Sequence, residues 1–126
     1  MLNKEQILKA QDITTEAIEV PEWGGSVCVK QMSGTERDAF EQELVSGKEK
    51  VNLVNIRARL CGRCISNEDG KRLFTDNEVN QLGAKSAKAL DRVFALAQKL
   101  NGISDGDVEE LAKNSGDDQS VGSTSD

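Results

Sequence analysis

Cys61-Gly62-Arg63-Cys64 has the two-residue spacing of a thiol redox site. Such sites stand where a strand meets a helix N-terminus, so that the helix dipole lowers the pKa of the first thiol. Here the pair falls near the end of a helical pattern, where the dipole disfavours a thiolate. Both cysteines also occupy or flank that helix's apolar stripe, so packed core thiols are favoured over redox chemistry. A structural zinc site takes four Cys or His ligands. The chain has 3 Cys and no His; adding Cys28 to the pair leaves the fourth position without a ligand. No metal and no cofactor are expected.

The lack of histidine removes every Ser-His or Cys-His nucleophile and the usual general base near neutral pH. Carboxylates are plentiful, but Glu36, Glu78 and Asp107 stand three residues after Ser33, Thr75 and Ser104, where they would cap helix starts. Asp69-Gly70 reads as a turn without the rest of a calcium loop, and no phosphate-cradling glycine motif occurs. The expectation is a protein that is not an enzyme. Trp23, the single Trp, is followed by Gly24 and Gly25. These three residues are the candidate partner-binding site, because an interface Trp can anchor in a partner's groove. The competing reading, favoured in so aromatic-poor a chain, folds Trp23 back over one end of a sheet.

The elements that would carry these residues follow from periodicity. Asn3 to Gln6 forms a capping box for a short helix that gives way at Asp12. From Ile13 to Val20 the pattern alternates, Ile18 and Val20 facing away from Ala17 and Glu19. Pro21 to Gly25 makes a five-residue turn, and Ser26 to Met32 alternates again, which predicts a β-hairpin. Ser33 opens a helix with Ala39, Phe40 and Leu44 on one side, closed by Gly47 and Lys48-Glu49-Lys50. A helical pattern from Val51 to Ile65 places Leu53, Ile56, Leu60, Cys61 and Cys64 on one face and Asn55, Arg59 and Gly62 opposite. Arg57 falls inside the apolar face, so it either reaches out to water or meets an acidic partner.

Asn67 to Gly70 signals a turn that would give a second short hairpin with Leu73-Phe74. Thr75 caps a brief helix ending near Leu82-Gly83. The strongest helix runs from about Lys85 to Leu100, with Ala87, Leu90, Val93, Phe94, Ala97 and Leu100 at helical spacing and Asn101-Gly102 as its stop. A last short helix follows Ser104 through Val108, Leu111 and Ala112. The fold class is therefore α+β: an N-terminal β-hairpin, which the second hairpin can extend, packed against a small group of helices. Residues 1–113 form one domain; 114–126, an acidic Ser/Gly/Asp tail with Val121 as its one apolar side chain, is expected to be disordered.

Bulk properties narrow the partners. Net charge is −6 and the sequence pI about 4.8, which works against a phosphate backbone, although Arg57, Arg59 and Arg63 cluster locally. Nucleic acid is not expected as a partner. No run approaches the roughly 20 apolar residues of a membrane span, and the N-terminus lacks a signal peptide's basic and apolar regions. An odd number of cysteines suits a reducing cytoplasm.

An ordered set of segments carries a resemblance. It begins with Val20-Pro21-Glu22-Trp23-Gly24-Gly25, Val27 and Val29, then Ser33-Gly34-Thr35-Glu36-Arg37-Asp38-Ala39-Phe40-Glu41. It continues with Asp69-Gly70-Lys71-Arg72-Leu73-Phe74-Thr75-Asp76, Leu82-Gly83, Ala89-Leu90-Asp91-Arg92-Val93-Phe94 and Leu100-Asn101-Gly102. Over residues 12 to 113 this order resembles the tail assembly chaperones of long-tailed, siphovirus-type bacteriophages and prophages. Asn67 departs from it, standing where such proteins commonly have an acidic residue.

The resemblance implies a chaperone that binds and solubilises the tape measure protein and helps the tail tube protein polymerise around it. It also implies a host-cytoplasmic protein absent from the mature virion, often made in a second, longer form by a −1 frameshift through which the tube protein is met. Association between copies is left open. Ala112-Lys113-Asn114 can be encoded as GCA AAA AAC, a slippery run at the expected end of the domain. The alternative reading is a structural minor tail or head-tail connector protein retained in the virion; a thiol redox protein is a third.

Overall fold

The computed structural model describes residues 1–44, 55–107 and 110. Strand β1 (Thr15–Val20) and strand β2 (Gly25–Lys30) form the expected hairpin, in a register that sets Val20 opposite Gly25 and Thr15 opposite Lys30. Gly25 is thus the first residue of β2 and not part of the loop, which is one residue shorter than expected. Pro21–Trp23 form a single 3-10 turn, and Gly24 closes it at φ +77°, a left-handed conformation that favours glycine. The alternation holds. Val20 and Val29 are buried, while Thr15, Ala17 and Glu19 face solvent.

The second hairpin extends this sheet in the order β1-β2-β3, as β3 (Ile65–Ser66) pairs antiparallel with Val29 and Cys28 of β2. Its return strand is reduced to one bridge between Ser66 and Arg72, around a turn with Gly70 at φ +85°. Asn67 Oδ1 accepts from the amides of Asp69 and Lys71 at 2.8 and 3.0 Å, so the turn is tied by its own side chain.

Helix α1 (Lys4–Lys9) carries the full Asn3/Gln6 capping box, ends at Ala10 and has no buried residue. Helix α2 (Gly34–Leu44) starts at the reciprocal pair between Ser33 and Glu36 and buries Phe40 and Leu44, while Ala39 stays exposed. Helix α3 (Ile56–Cys64) begins after Asn55 at φ 62°. Ile65, expected at the end of that helix, instead enters β3, because its backbone leaves the helix at φ −70°, ψ 126°. Gly62 is also not on an open face. It is buried with Val79 and Leu82 side by side against it, since α4 (Val79–Gly83) covers that flank.

Residues 76–78 form a 3-10 turn capped by Thr75 and Glu78, and α4 follows directly. Helix α5 (Ala87–Asn101) starts at Ser86 and ends at Gly102, φ 66°. It buries Ala89, Leu90, Val93, Leu96 and Ala97, each large side chain contributing about 1.5–3 kcal/mol over exposure. Ala87, expected on the inner face, is exposed, and the buried stripe of α5 begins at Ala89 and Leu90.

Helix α3 packs on α2, α4 and α5, and α5 crosses the inner face of β1 and β2. The core lies between that sheet face and these helices. Ser104 and Asp107 exchange hydrogen bonds of 2.9 and 3.0 Å as residues 105–107 turn helical. The expected closure of α2 at Gly47 to Lys50, the helical pattern at 51–54, most of the last helix and the tail from 114 lie outside the described residues.

Candidate functional site

Cys61 and Cys64 sit in the last turns of α3, both fully buried. Burial, and then the neighbouring Cys64, pushes the Cys61 thiol far up; burial likewise pushes Cys64 up to about 11. The Cys61 thiol donates weakly to the Leu90 carbonyl at 3.6 Å, and Cys64 Sγ accepts from Asn101 at 3.5 Å. These thiols join α3 to α5 as apolar packing, and neither is activated for attack.

The arginine cluster is neutralised by acids from other elements. Arg57 is exposed and pairs with Asp91 of α5 at 2.6 Å, the acidic-partner alternative. Arg59 reaches Glu43 of α2 at 2.9 Å. Arg63, only 8% exposed, meets Glu43 at 3.3 Å and Asp76 at 3.5 Å. Arg72 completes the network, donating to the Gly62 carbonyl at 2.8 Å and to Asp76 at 2.9 Å. This network was not foreseen: Glu43 lies on an ordinary helix pattern, and a contact across 20 residues leaves no local signal.

The hairpin turn borders an open, partly apolar cleft. Pro21 fixes the first φ of the turn, Gly24 donates back to the Pro21 carbonyl at 3.0 Å, and the two residues between them are carried sideways over the helices. Glu22 is clamped by Arg92 of α5, with three N–O distances of 2.9, 3.2 and 3.1 Å. The Arg92 hydrogen bond holds the Glu22 carboxyl below its usual range. Trp23 is half-buried against the core and forms a wall of a cleft of about 450 Å³ with Phe74, Leu82, Gln81 and Lys85. Its Nε1 is the buried side-chain donor that finds no acceptor among the described residues.

Of the three residues expected at a partner site, Trp23 lies in this cleft. Gly24 and Gly25 do not line it; they shape the turn that presents it, with open space where a Cβ would stand. Phe74 directly precedes the Thr75–Glu78 cap and Leu82 follows it by one turn, and that cap was visible in the sequence. Their meeting with Trp23, some 50 residues away, was not. Among the described residues, no group of three or more Cys, Asp or Glu could hold a metal ion, and no helix is long and apolar enough to cross a membrane.

A family model described as phage tail assembly chaperone matches residues 3–114. Among solved structures, the tail assembly chaperone of bacteriophage HK97 is similar in fold, with a TM-score of 0.55 at 20% identity. The alignment covers 76% of this chain and 94% of the other. No curated protein matches.

Proposed function

The chain belongs to the phage tail assembly chaperone family, and on that premise we propose that it binds and solubilises the tape measure protein while the tail tube is built around it. It acts by binding and not by catalysis, in the cytoplasm of the infected or lysogenic host, and leaves before the virion is complete. The observation that supports this most is the Trp23 cleft, an apolar recess on a chain of net charge −6. Such a protein can cover a client's apolar stripe while charge repulsion keeps the complex dispersed.

The extent of the family match supports a second part of the proposal. It stops at residue 114, where the acidic tail begins and where Ala112-Lys113-Asn114 can be encoded slippery. A −1 shift there would keep the single domain of residues 1–113 and exchange the tail for a longer ending that meets the tube protein. Codons at 112 to 114 that cannot slip would remove the shift and leave the chaperone reading intact.

Mass spectrometry of purified virions tests the main proposal against a structural tail or head-tail connector protein. Tape measure and tube peptides are expected without peptides of this chain. Finding it at stoichiometric level in the particle would contradict the proposal.

A further inference from the structure

The edge of the cleft beside Trp23 gathers three cations, Lys85, Lys88 and Arg92, around one carboxylate, Glu22, on a chain that is acidic as a whole. Lys85, in the bend before α5, lines the cleft, and Lys88 and Arg92, in the first two turns of α5, act on Glu22 at its edge. Glu22 occupies Arg92 and also feels the Lys88 charge, and it is the only carboxylate lining the cleft. The side chains of Lys85 and Lys88 are exposed, and neither ammonium makes a hydrogen bond or ion pair among the described residues, while the Lys85 amide donates to the Leu82 carbonyl at 3.0 Å. The walls are Trp23, Phe74 and Leu82, with the Gln81 amide beside them. An apolar floor with a cationic rim therefore sits on a protein whose net charge is −6.

We propose that this cleft is the docking groove for an acidic amphipathic helix of the client, whose apolar anchors seat against Trp23, Phe74 and Leu82 while a carboxylate on its flank meets Lys85 and Lys88. The inference rests on the chaperone reading and adds the site and the chemistry of the bound segment. A cleft of about 450 Å³ accommodates one or two large side chains, which is how a helix is held by spaced anchors. The rim sets the sign. Repulsion between an acidic client and the acidic body fades over about 8 Å at physiological salt, whereas the pairs at the rim form in contact. The Trp23 Nε1, buried without an acceptor, marks this wall as unfinished, and a small shift of the ring on docking would bring a client oxygen to it.

The single Trp makes the groove its own reporter. Two Trp-free 18-residue amphipathic peptides with the same Leu/Phe stripe, one flanked by Glu and one by Lys, are titrated into the full chain. The Glu peptide is expected to change Trp23 emission saturably, about tenfold more tightly than the Lys peptide at low salt, the scale of two exposed ion pairs gained against two repulsions. A Lys85→Glu, Lys88→Glu variant, altered only at exposed positions and verified as folded by its thermal melt, should reverse the order. Equal affinities, no change of emission, or an order that survives the reversal would each overturn the groove. Co-expression with the tape measure protein separates the two levels. If the reversed variant solubilises it as well as the wild type does, the groove fails and the chaperone reading stands. If the wild type does not solubilise it at all, that reading fails whatever the peptides do.

Discussion

Asn101 ties the end of α5 to the start of α2, and replacing it by Ala should cost measurable stability. Its Oδ1 accepts from the Met32 amide at 2.7 Å, and its Nδ2 donates to the Ala97 carbonyl at 2.8 Å and to Cys64 Sγ at 3.5 Å. Met32 is 6% exposed, so its amide has no ready access to water once the acceptor is gone. An unsatisfied buried donor costs about 1–3 kcal/mol. The Ala97 carbonyl sits within α5 and loses only a second donor, while Ala at the last helical position returns up to about 0.7 kcal/mol. The net expectation for Asn101→Ala is a loss of about 1–2 kcal/mol.

Urea denaturation followed by circular dichroism reads that loss as a midpoint lower by about 0.5–1 M with the slope unchanged. Hydrogen exchange adds a local signature: the Met32 amide should lose protection beyond what the global change explains. Gln98→Ala is the control, since the Gln98–Asp105 bond is exposed, and it should stay within about 0.5 kcal/mol of wild type. An Asn101→Ala midpoint equal to that control, or a Met32 amide as protected as before, would refute the reasoning.

Three further outcomes follow from the same contacts. Glu43→Gln leaves the buried Arg63 with Asp76 as its charged partner in the network and should destabilise the fold by about 2–3 kcal/mol in urea unfolding. Asp76 is held below its ordinary value of 3.8, chiefly by the Arg72 hydrogen bond. Its contribution is therefore complete above that value and lost as pH falls through its lower folded pKa, so Asp76→Asn should flatten the acid limb of stability between pH 5 and pH 2; an unchanged limb would count against the pairing. With a thiol reagent at pH 8, Cys28, half-buried on β2, should react first, while Cys61 and Cys64 react only as the protein unfolds. Rapid labelling of either would contradict their burial.

Local signals were the legible part of this fold. The capping boxes at Asn3, Ser33 and Thr75, the alternation around Ile18 and Val29, and the period of α5 are short-range patterns, and the elements they predict are present. What the sequence concealed depends on contacts between distant residues. Ile65 belongs to a helical pattern by spacing, yet pairing with Val29 draws it into the sheet. Gly62 reads as a polar-face residue until α4 packs over it. Asn101 reads as a helix stop, and nothing local shows that it also holds Met32. The site behaves the same way. Trp23 stood out as the single Trp in a glycine-rich turn, but Phe74, Leu82 and Lys85 reach it only through the fold, and Glu22 gained meaning only from Arg92.

Co-expression with the tape measure protein tests the central claim most directly. With this chain present, the soluble fraction of the tape measure protein should rise severalfold and the two should elute together in size exclusion. A tape measure protein equally soluble without this chain, with no shared elution, would contradict the account.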